Sequence, residues 1–216
     1  MGKKKEVTIM DYGIGNLLSV SRAIEECGAK AIITDSSQDI SNADFLILPG
    51  VGNFSVAIKE LRKRGFEEAI LNYCLKERPL LGICLGMQML FDSSEEQGFH
   101  KGLSIIAGSV KPIPNVNQKG VRNKIPHIGW APIKINFKSN FVDEKLLNKN
   151  QEGKFFYFIH SFQGYTDNPE ECIATTNYND MEITAVIKKG LIVGCQFHPE
   201  KSGINGIDFL NNFLNI

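Results

Sequence analysis

The stretch Leu80-Leu81-Gly82-Ile83-Cys84-Leu85-Gly86-Met87-Gln88 constrains this chain more than any other. An apolar run able to form a buried strand stops at a Gly-x-Cys-x-Gly turn, and an apolar, helix-compatible segment, Met87 to Phe91, follows. A strand that turns sharply into a helix around one nucleophile is a nucleophile elbow, here with sulfur in place of a serine hydroxyl. The two glycines permit the sharp turn and let neighbouring elements approach closely. Cys84 then stands at a helix N-terminus, where unpaired N–H groups and the helix dipole favour a thiolate. A lone cysteine between glycines is more often a small buried residue, but a distant segment argues otherwise here.

That segment is Gln196-Phe197-His198-Pro199-Glu200, a second apolar run that ends in His-Pro-Glu. A cysteine nucleophile needs a base to hold its proton and return it to a leaving amine, and the base needs a group to orient it. His198 and Glu200 are two apart, so in extended chain their side chains leave the same face. Pro199 between them restricts the backbone and helps fix their relative direction.

At 216 residues the chain has room for one sizeable core, and no linker or internal repeat divides it, so residues 1–216 read as a single domain. Its 24 basic and 24 acidic residues cancel, which argues against a nucleic-acid surface. Lys3, Lys4 and Lys5 form the only notable basic cluster and read as a solvated terminus. No apolar stretch reaches the length of a membrane span, and no signal-peptide core is expected. The five cysteines show no CxxC pair, so a metal site or disulfide framework is not expected, and a reduced, cytoplasmic setting fits.

Apolar β-rich runs alternate with helical patterns, which predicts an α/β fold with a mostly parallel central sheet flanked by helices. Strands are predicted at Val7–Met10, Ala31–Thr34, Phe45–Leu48 and the elbow, with helices over Asn16–Cys27, Ser55–Arg64 and Glu67–Lys76. From Leu103 to Phe137 prolines and glycines are dense, which predicts short strands in a smaller mixed or antiparallel sheet. Lys138 to Gly153 is polar and reads as a surface helix or loop. Phe155–Ile159, Cys172–Thr176, Thr184–Ile187 and Leu191–Phe197 read as further strands, and Gly206–Leu214 as a closing helix.

The elbow and His198-Pro199-Glu200 together resemble the class I (triad) glutamine amidotransferases. More narrowly, the chain resembles the family of glutaminase subunits of imidazole glycerol phosphate synthase. That likeness rests on Met10-Asp11-Tyr12-Gly13-Ile14-Gly15-Asn16-Leu17, Leu48-Pro49-Gly50-Val51-Gly52 and Pro126-His127-Ile128-Gly129-Trp130. Tyr157-Phe158-Ile159-His160-Ser161 and His198-Pro199-Glu200-Lys201-Ser202-Gly203 follow in the family's order. The resemblance runs from about Val7 to Ile216 and implies a flavodoxin-like amidotransferase fold.

It also implies a reaction, hydrolysis of L-glutamine to glutamate and ammonia, with Cys84 as nucleophile, His198 as proton shuttle and Glu200 as its partner. The tetrahedral oxyanion of that reaction needs preorganised N–H donors. One is expected from Leu85, directly after the nucleophile. The other is expected from the glycine-rich turn Gly50-Val51-Gly52. Gln88, one helical turn after Cys84, is implied as a contact to the substrate glutamine, with Gly52. His160 and Ser161 are read as pocket or structural residues, since the triad is already filled. Asn16, Trp130 and Lys201 are implied at a face shared with a partner; Trp130, beside Gly129 and near Pro132, reads as a loop residue.

Ammonia is mostly protonated near neutral pH and then not nucleophilic, which favours direct delivery to a second active site. No acceptor site is found in this chain, so a separate synthase subunit is expected, with no cofactor on this one. By resemblance the partner is a (β/α)8-barrel cyclase. The pair would form imidazole glycerol phosphate and aminoimidazole carboxamide ribotide in histidine biosynthesis. The alternative is a paralogous subunit feeding a sugar-modifying partner in surface polysaccharide synthesis. The intact triad argues against a purely binding or regulatory subunit. Two departures from the family pattern stand out: Phe162 where tyrosine is usual, and Asn177-Tyr178-Asn179-Asp180-Met181 where Asp-Tyr-Gly is usual.

Overall fold

The computed structural model describes residues 4–216. Its first half runs β1 (Glu6–Met10), α1 (Leu17–Glu26), β2 (Lys30–Thr34), α2 (Ser37–Asn42), β3 (Phe45–Leu48), α3 (Phe54–Lys63) and α4 (Phe66–Cys74). The elbow follows as β4 (Leu80–Ile83) and α5 (Leu85–Met89), then β5 (Phe91–Ser94), β6 (His100–Lys101) and β7 (Ile106–Pro112). The rest is β8 (His127–Ile135), β9 (Phe155–His160), β10 (Phe162–Thr166), β11 (Cys172–Tyr178), β12 (Met181–Lys189), β13 (Ile192–Cys195) and α6 (Gly203–Phe213). Among these residues no helix is long and apolar enough to cross a membrane.

Nine strands form the main sheet in the order β2-β1-β3-β4-β13-β12-β11-β8-β9. The β2 to β13 half is parallel, and the β12 to β9 half is antiparallel, so the whole sheet is mixed. A smaller sheet, β10-β7-β5-β6, is also mixed. Because strand side chains alternate, each core strand feeds two apolar layers. Ile9, Ile47, Leu81 and Ile83 point into the layer under α1 and α6, whereas Leu46, Leu48 and Leu80 join the layer under α3 and α4.

Most predicted elements are present with shifted ends. The main exceptions lie where tertiary pairing overrides local pattern. The helix after Cys84 ends at Met89, and Phe91 starts a strand because β5 pairs with β7. The strands of the 103–137 region are longer than expected, seven residues in β7 and nine in β8. Trp130 lies within β8, paired with Tyr157 of β9, and not in a loop. Of the helix or loop expected over residues 138–153 the loop is found, a run of turns pinned by buried Leu146 and Leu147. Of the three-lysine cluster, Lys3 lies outside the described residues. Lys5 is not simply solvated, since its ammonium donates to the Leu214 carbonyl and to Asn215 Oδ1. The Asn179-Asp180 departure falls at the β11–β12 turn, where both residues take positive φ, 48° and 62°. Asn and Asp tolerate that conformation nearly as glycine does.

Packing at the elbow glycines leaves no room for a side chain. A Cβ built on Gly86 would lie 1.9 Å from the Leu48 carbonyl oxygen, and one on Gly82 would lie 2.8 Å from the Met87 nitrogen. These glycines therefore provide clearance for a helix pressed onto two strands. Gly86→Ala should destabilise the fold by about 3 kcal/mol or more, at the upper end of overpacking costs, and lower Tm by roughly 6–12 °C. Leu75→Ala, at a side chain 82% exposed, is the control and should leave the melting curve nearly unchanged.

Candidate active site

The topology, not the sequence spacing, brings the two motifs together. β4 and β13 are parallel neighbours in register, with Ile83 opposite Cys195, so both chains leave the sheet at the same edge. The Cys84 N–H donates to the Cys195 carbonyl at 2.7 Å, which extends the ladder one step to the nucleophile itself. Such a crevice at the carboxyl ends of parallel strands is the usual ligand position in open α/β sheets.

Cys84 has φ 53° and ψ −107°, a conformation that L residues seldom adopt. The sequence reading assigned the sharp turn to the glycines. The strain in fact sits on the cysteine, at a cost of order 1–3 kcal/mol that the packing around it must hold. It presents a sulfur 6% exposed at residue level to a cavity of about 610 Å³.

His198 follows β13 by way of Phe197, whose ring stacks on Phe156 at 4.1 Å and meets Phe209 edge-on at 5.1 Å. A closed ring of hydrogen bonds then fixes the backbone. The His198 N–H donates to the Tyr157 carbonyl (2.9 Å), the Tyr157 N–H to Ser202 Oγ (3.0 Å), and the Ser202 hydroxyl back to the His198 carbonyl (2.6 Å). Glu200, on a one-turn 3-10 helix, reaches His198 Nδ1 through Oε1 at 2.7 Å, and both side chains are 2% exposed. Burial alone would lower the imidazole, but the side chains of Cys84 and Glu200 outweigh it and raise His198 to about 10. His198 Nε2 has no well-formed hydrogen bond of its own. The thiol is near enough to shift the ring yet not aligned with it, a looseness common before substrate binds.

Gly50 packs against the elbow: a Cβ there would meet the Gly86 nitrogen at 2.8 Å and Leu85 Cβ at 2.9 Å. Gly52 has φ +91° and open space around it, so its glycine is required by backbone conformation. Leu85 opens α5, where its N–H has no intrahelical partner. The same cavity is lined by Asn16, Val51, Gly52, Gln88, Glu96, His160, Ser161 and Lys201 besides Cys84, Leu85 and His198. Two larger grooves, one beside Lys134 and Cys172 and one beside Leu71 and Cys74, bring no histidine to their cysteines.

His160 is no second base. Its Nδ1 donates to the Phe162 carbonyl at 2.8 Å, and its Nε2 faces His127 Nδ1 at 3.2 Å. Burial lowers His160 to about 3 and His127 to about 4, so both rings are neutral near pH 7. The carbonyl of Phe162 also accepts from Gln88 Nε2 at 3.1 Å. Position 162 thus serves this network through its backbone, which is indifferent to the missing tyrosine hydroxyl.

The model of the glutamine amidotransferase class-I family matches residues 8–216. The imidazole glycerol phosphate synthase subunit HisH of Geobacillus sp. (strain WCH70) is 44% identical over 210 residues, covering 97% of this chain and 96% of that one. The HisH 1 subunit of Legionella pneumophila (strain Lens) is 42% identical, with 97% and 99% covered. This chain belongs to the class-I glutamine amidotransferase family. Among solved structures, a glutamine amidotransferase superposes with a TM-score of 0.71 at 16% identity, 97% of each chain covered. PurLQS from Thermotoga maritima superposes with a TM-score of 0.70 at 18% identity, 99% of each covered. Likenesses at that identity speak to the amidotransferase fold alone.

Within this amidotransferase, Cys84, His198 and Glu200 converge, with Gly50, Val51, Gly52 and Leu85 beside them and Gln88, His160 and Ser161 around the cavity. Asn16 and Lys201 reach the cavity mouth. Trp130 does not line it; it stands on the exposed face of β8, 54% exposed and 6.0 Å from Tyr157. The sequence singles out neither Glu96, which lines the cavity, nor the fully buried Gln196, which contacts the Cys84 sulfur. Glu96 sits in an ordinary-looking acidic pair, although its position a few residues past the elbow helix was a usable signal. Gln196 carries no local signal beyond preceding Phe197-His198.

The charge on His198 gives a pH test. Glu200 favours the imidazolium, so removing its charge lowers the ring's pKa. Glu200→Gln should therefore move the alkaline limb of the kcat/KM profile to lower pH and cut kcat by roughly tenfold or more. An unmoved limb would remove Glu200 from its place behind the base.

Proposed function

We propose that this chain hydrolyses L-glutamine through Cys84, His198 and Glu200 and hands the ammonia to a separate synthase subunit. The Cys84 thiolate attacks the side-chain amide carbon, and the oxyanion is taken by the Leu85 N–H and an N–H of the Gly50-Val51-Gly52 turn. His198 gives its proton to the leaving amine, releasing ammonia and a thioester on Cys84. It then takes a proton from water, which cleaves the thioester to glutamate and restores the thiolate. The observation that carries this reading is the buried Cys84, with the His198–Glu200 pair beside it, at the end of two register-matched parallel strands.

Gln88 and the 160–161 turn shape the glutamine pocket. Glu96, whose Oε2 accepts the Phe54 N–H at 2.7 Å, supplies a carboxylate suited to the substrate's α-ammonium. No cofactor enters this scheme.

The full-length likeness to HisH subunits supports a role as the glutaminase subunit of imidazole glycerol phosphate synthase in histidine biosynthesis, rather than in sugar modification. The partner is then a cyclase, a (β/α)8 barrel, docked at the cavity mouth. Supporting this, the outer face of β8 and β9 leaves Ile128, Trp130, Phe155 and Ile159 exposed side by side. Asn16 and Lys201 border the cavity close to that face.

Cys84→Ala should abolish glutamine-dependent synthesis while synthesis from added ammonium salt by the complex persists. Retention of glutaminase turnover within about tenfold of wild type would rule out the thioester route. Lys201→Ala, an exposed position, should leave Tm nearly unchanged. It should weaken association with the synthase or raise the ratio of glutamate to synthase product; an unchanged ratio and affinity would return Lys201 to ordinary surface.

A further inference from the structure

Gln196 is fully buried, 0% exposed, and none of the steps above uses it. Its amide orientation is set from outside. The Phe162 carbonyl can only accept, so the Gln88 group 3.1 Å from it must be the NH2. The other hydrogen of that NH2 points to a Gln196 atom at 3.0 Å, which must then be Oε1. Gln196 Nε2 is thereby left facing Cys84 Sγ at 3.6 Å, within the longer reach of sulfur.

We propose that Gln196 is a catalytic residue whose side-chain N–H donates to Cys84 Sγ and holds the sulfur as an oriented thiolate. The proposal rests on the glutaminase reading of the site. A buried thiolate needs donors, because desolvation disfavours the charged form and hydrogen bonds to it restore the balance. The elbow helix is short, five residues, so its dipole is a small contribution. Ionisable side chains that act on the sulfur include Tyr12, Cys195 and His198, with Glu200 behind the last, and Glu96 and Lys201 line the same cavity. Burial drives Tyr12 and Cys195 toward their neutral forms. Of Tyr12, Cys195 and His198, this leaves His198 as the cation, and Gln196 supplies an uncharged donor beside it. The donor is preorganised, because its far end is tied through Gln88 to the backbone of β10.

The test is alkylation of Cys84 by iodoacetamide in the complex with its synthase, read as the Cys84 peptide adduct by mass spectrometry. Gln196→Met removes the donor at similar length. Gln196→Glu keeps an acceptor for Gln88 but replaces the donor with negative charge. Both variants should alkylate roughly ten- to hundredfold more slowly than wild type at pH 7, the worth of one hydrogen bond to a charged group. The difference should narrow as the pH is raised to 9.5, and glutaminase kcat at pH 7 should fall in parallel. Equal slowing at both pH values, or unchanged rates, would overturn the proposal, since a purely structural glutamine affects access and not ionisation. If neither variant retains a cooperative melt, the side-chain amide resonance of Gln196 in 15N-labelled wild type decides. It should move when Cys84 is alkylated, and a stationary resonance counts against the contact. A wild-type complex that failed to hydrolyse glutamine would instead defeat the glutaminase reading, whatever the alkylation rates.

Discussion

The close approach of β3, β4, β13 and the elbow helix is the constraint on which the rest of this structure depends. Gly86 presses against the Leu48 carbonyl, Gly82 against the start of the helix, and the Cys84 N–H completes the ladder to Cys195. Nothing with a side chain fits at either glycine without moving backbone. Held this way, the cysteine has little choice but an unfavoured φ and ψ, and its sulfur is aimed outward from the sheet edge. The strain is local, and the two apolar layers on either side of the sheet sustain it.

The same closeness joins the substrate side of the site to its chemical side. The turn at Gly50 lies against Leu85 and Gly86, so the two expected oxyanion donors come from segments in van der Waals contact. The histidine loop is fastened independently, by the Phe156–Phe197–Phe209 cluster and by the ring of hydrogen bonds through Tyr157 and Ser202. Two rigid pieces therefore meet at one thiol. The remaining freedom lies in the alignment of sulfur with His198 Nε2, which carries no well-formed hydrogen bond.

Buried polar groups make a continuous path through this region. His127 faces His160, which donates to the Phe162 carbonyl; Gln88 donates to the same carbonyl and to Gln196, and Gln196 reaches the sulfur. Its first member lies on β8, the strand that also displays Trp130 to solvent. A fully satisfied network in a low-dielectric interior is rigid, because each member fixes the orientation of the next.

The elbow, the His-Pro-Glu triplet, the parallel strands and most helices were legible in the sequence, because each is written in local terms: apolar period, glycine stops and residue types at short spacing. The proposed triad needed only the chemical argument that a thiol requires a base and a base requires an orienting group. What the sequence left open was long-range. It placed Trp130 in a loop, extended the elbow helix through Phe91, and did not single out Glu96 or Gln196. Three of these depend on which strand lies beside which: Phe91 on pairing with β7, Trp130 on pairing with β9, Gln196 on β13 lying next to β4; Glu96 depends on its contact with the Phe54 N–H. Pairing of that kind is fixed by burial of both faces of a sheet, between partners such as Phe91 and Ile106, Trp130 and Tyr157, or Ile83 and Cys195 that local pattern does not connect. Local sequence therefore determined which groups could do the chemistry, and only the tertiary structure decided which of them meet at the sulfur.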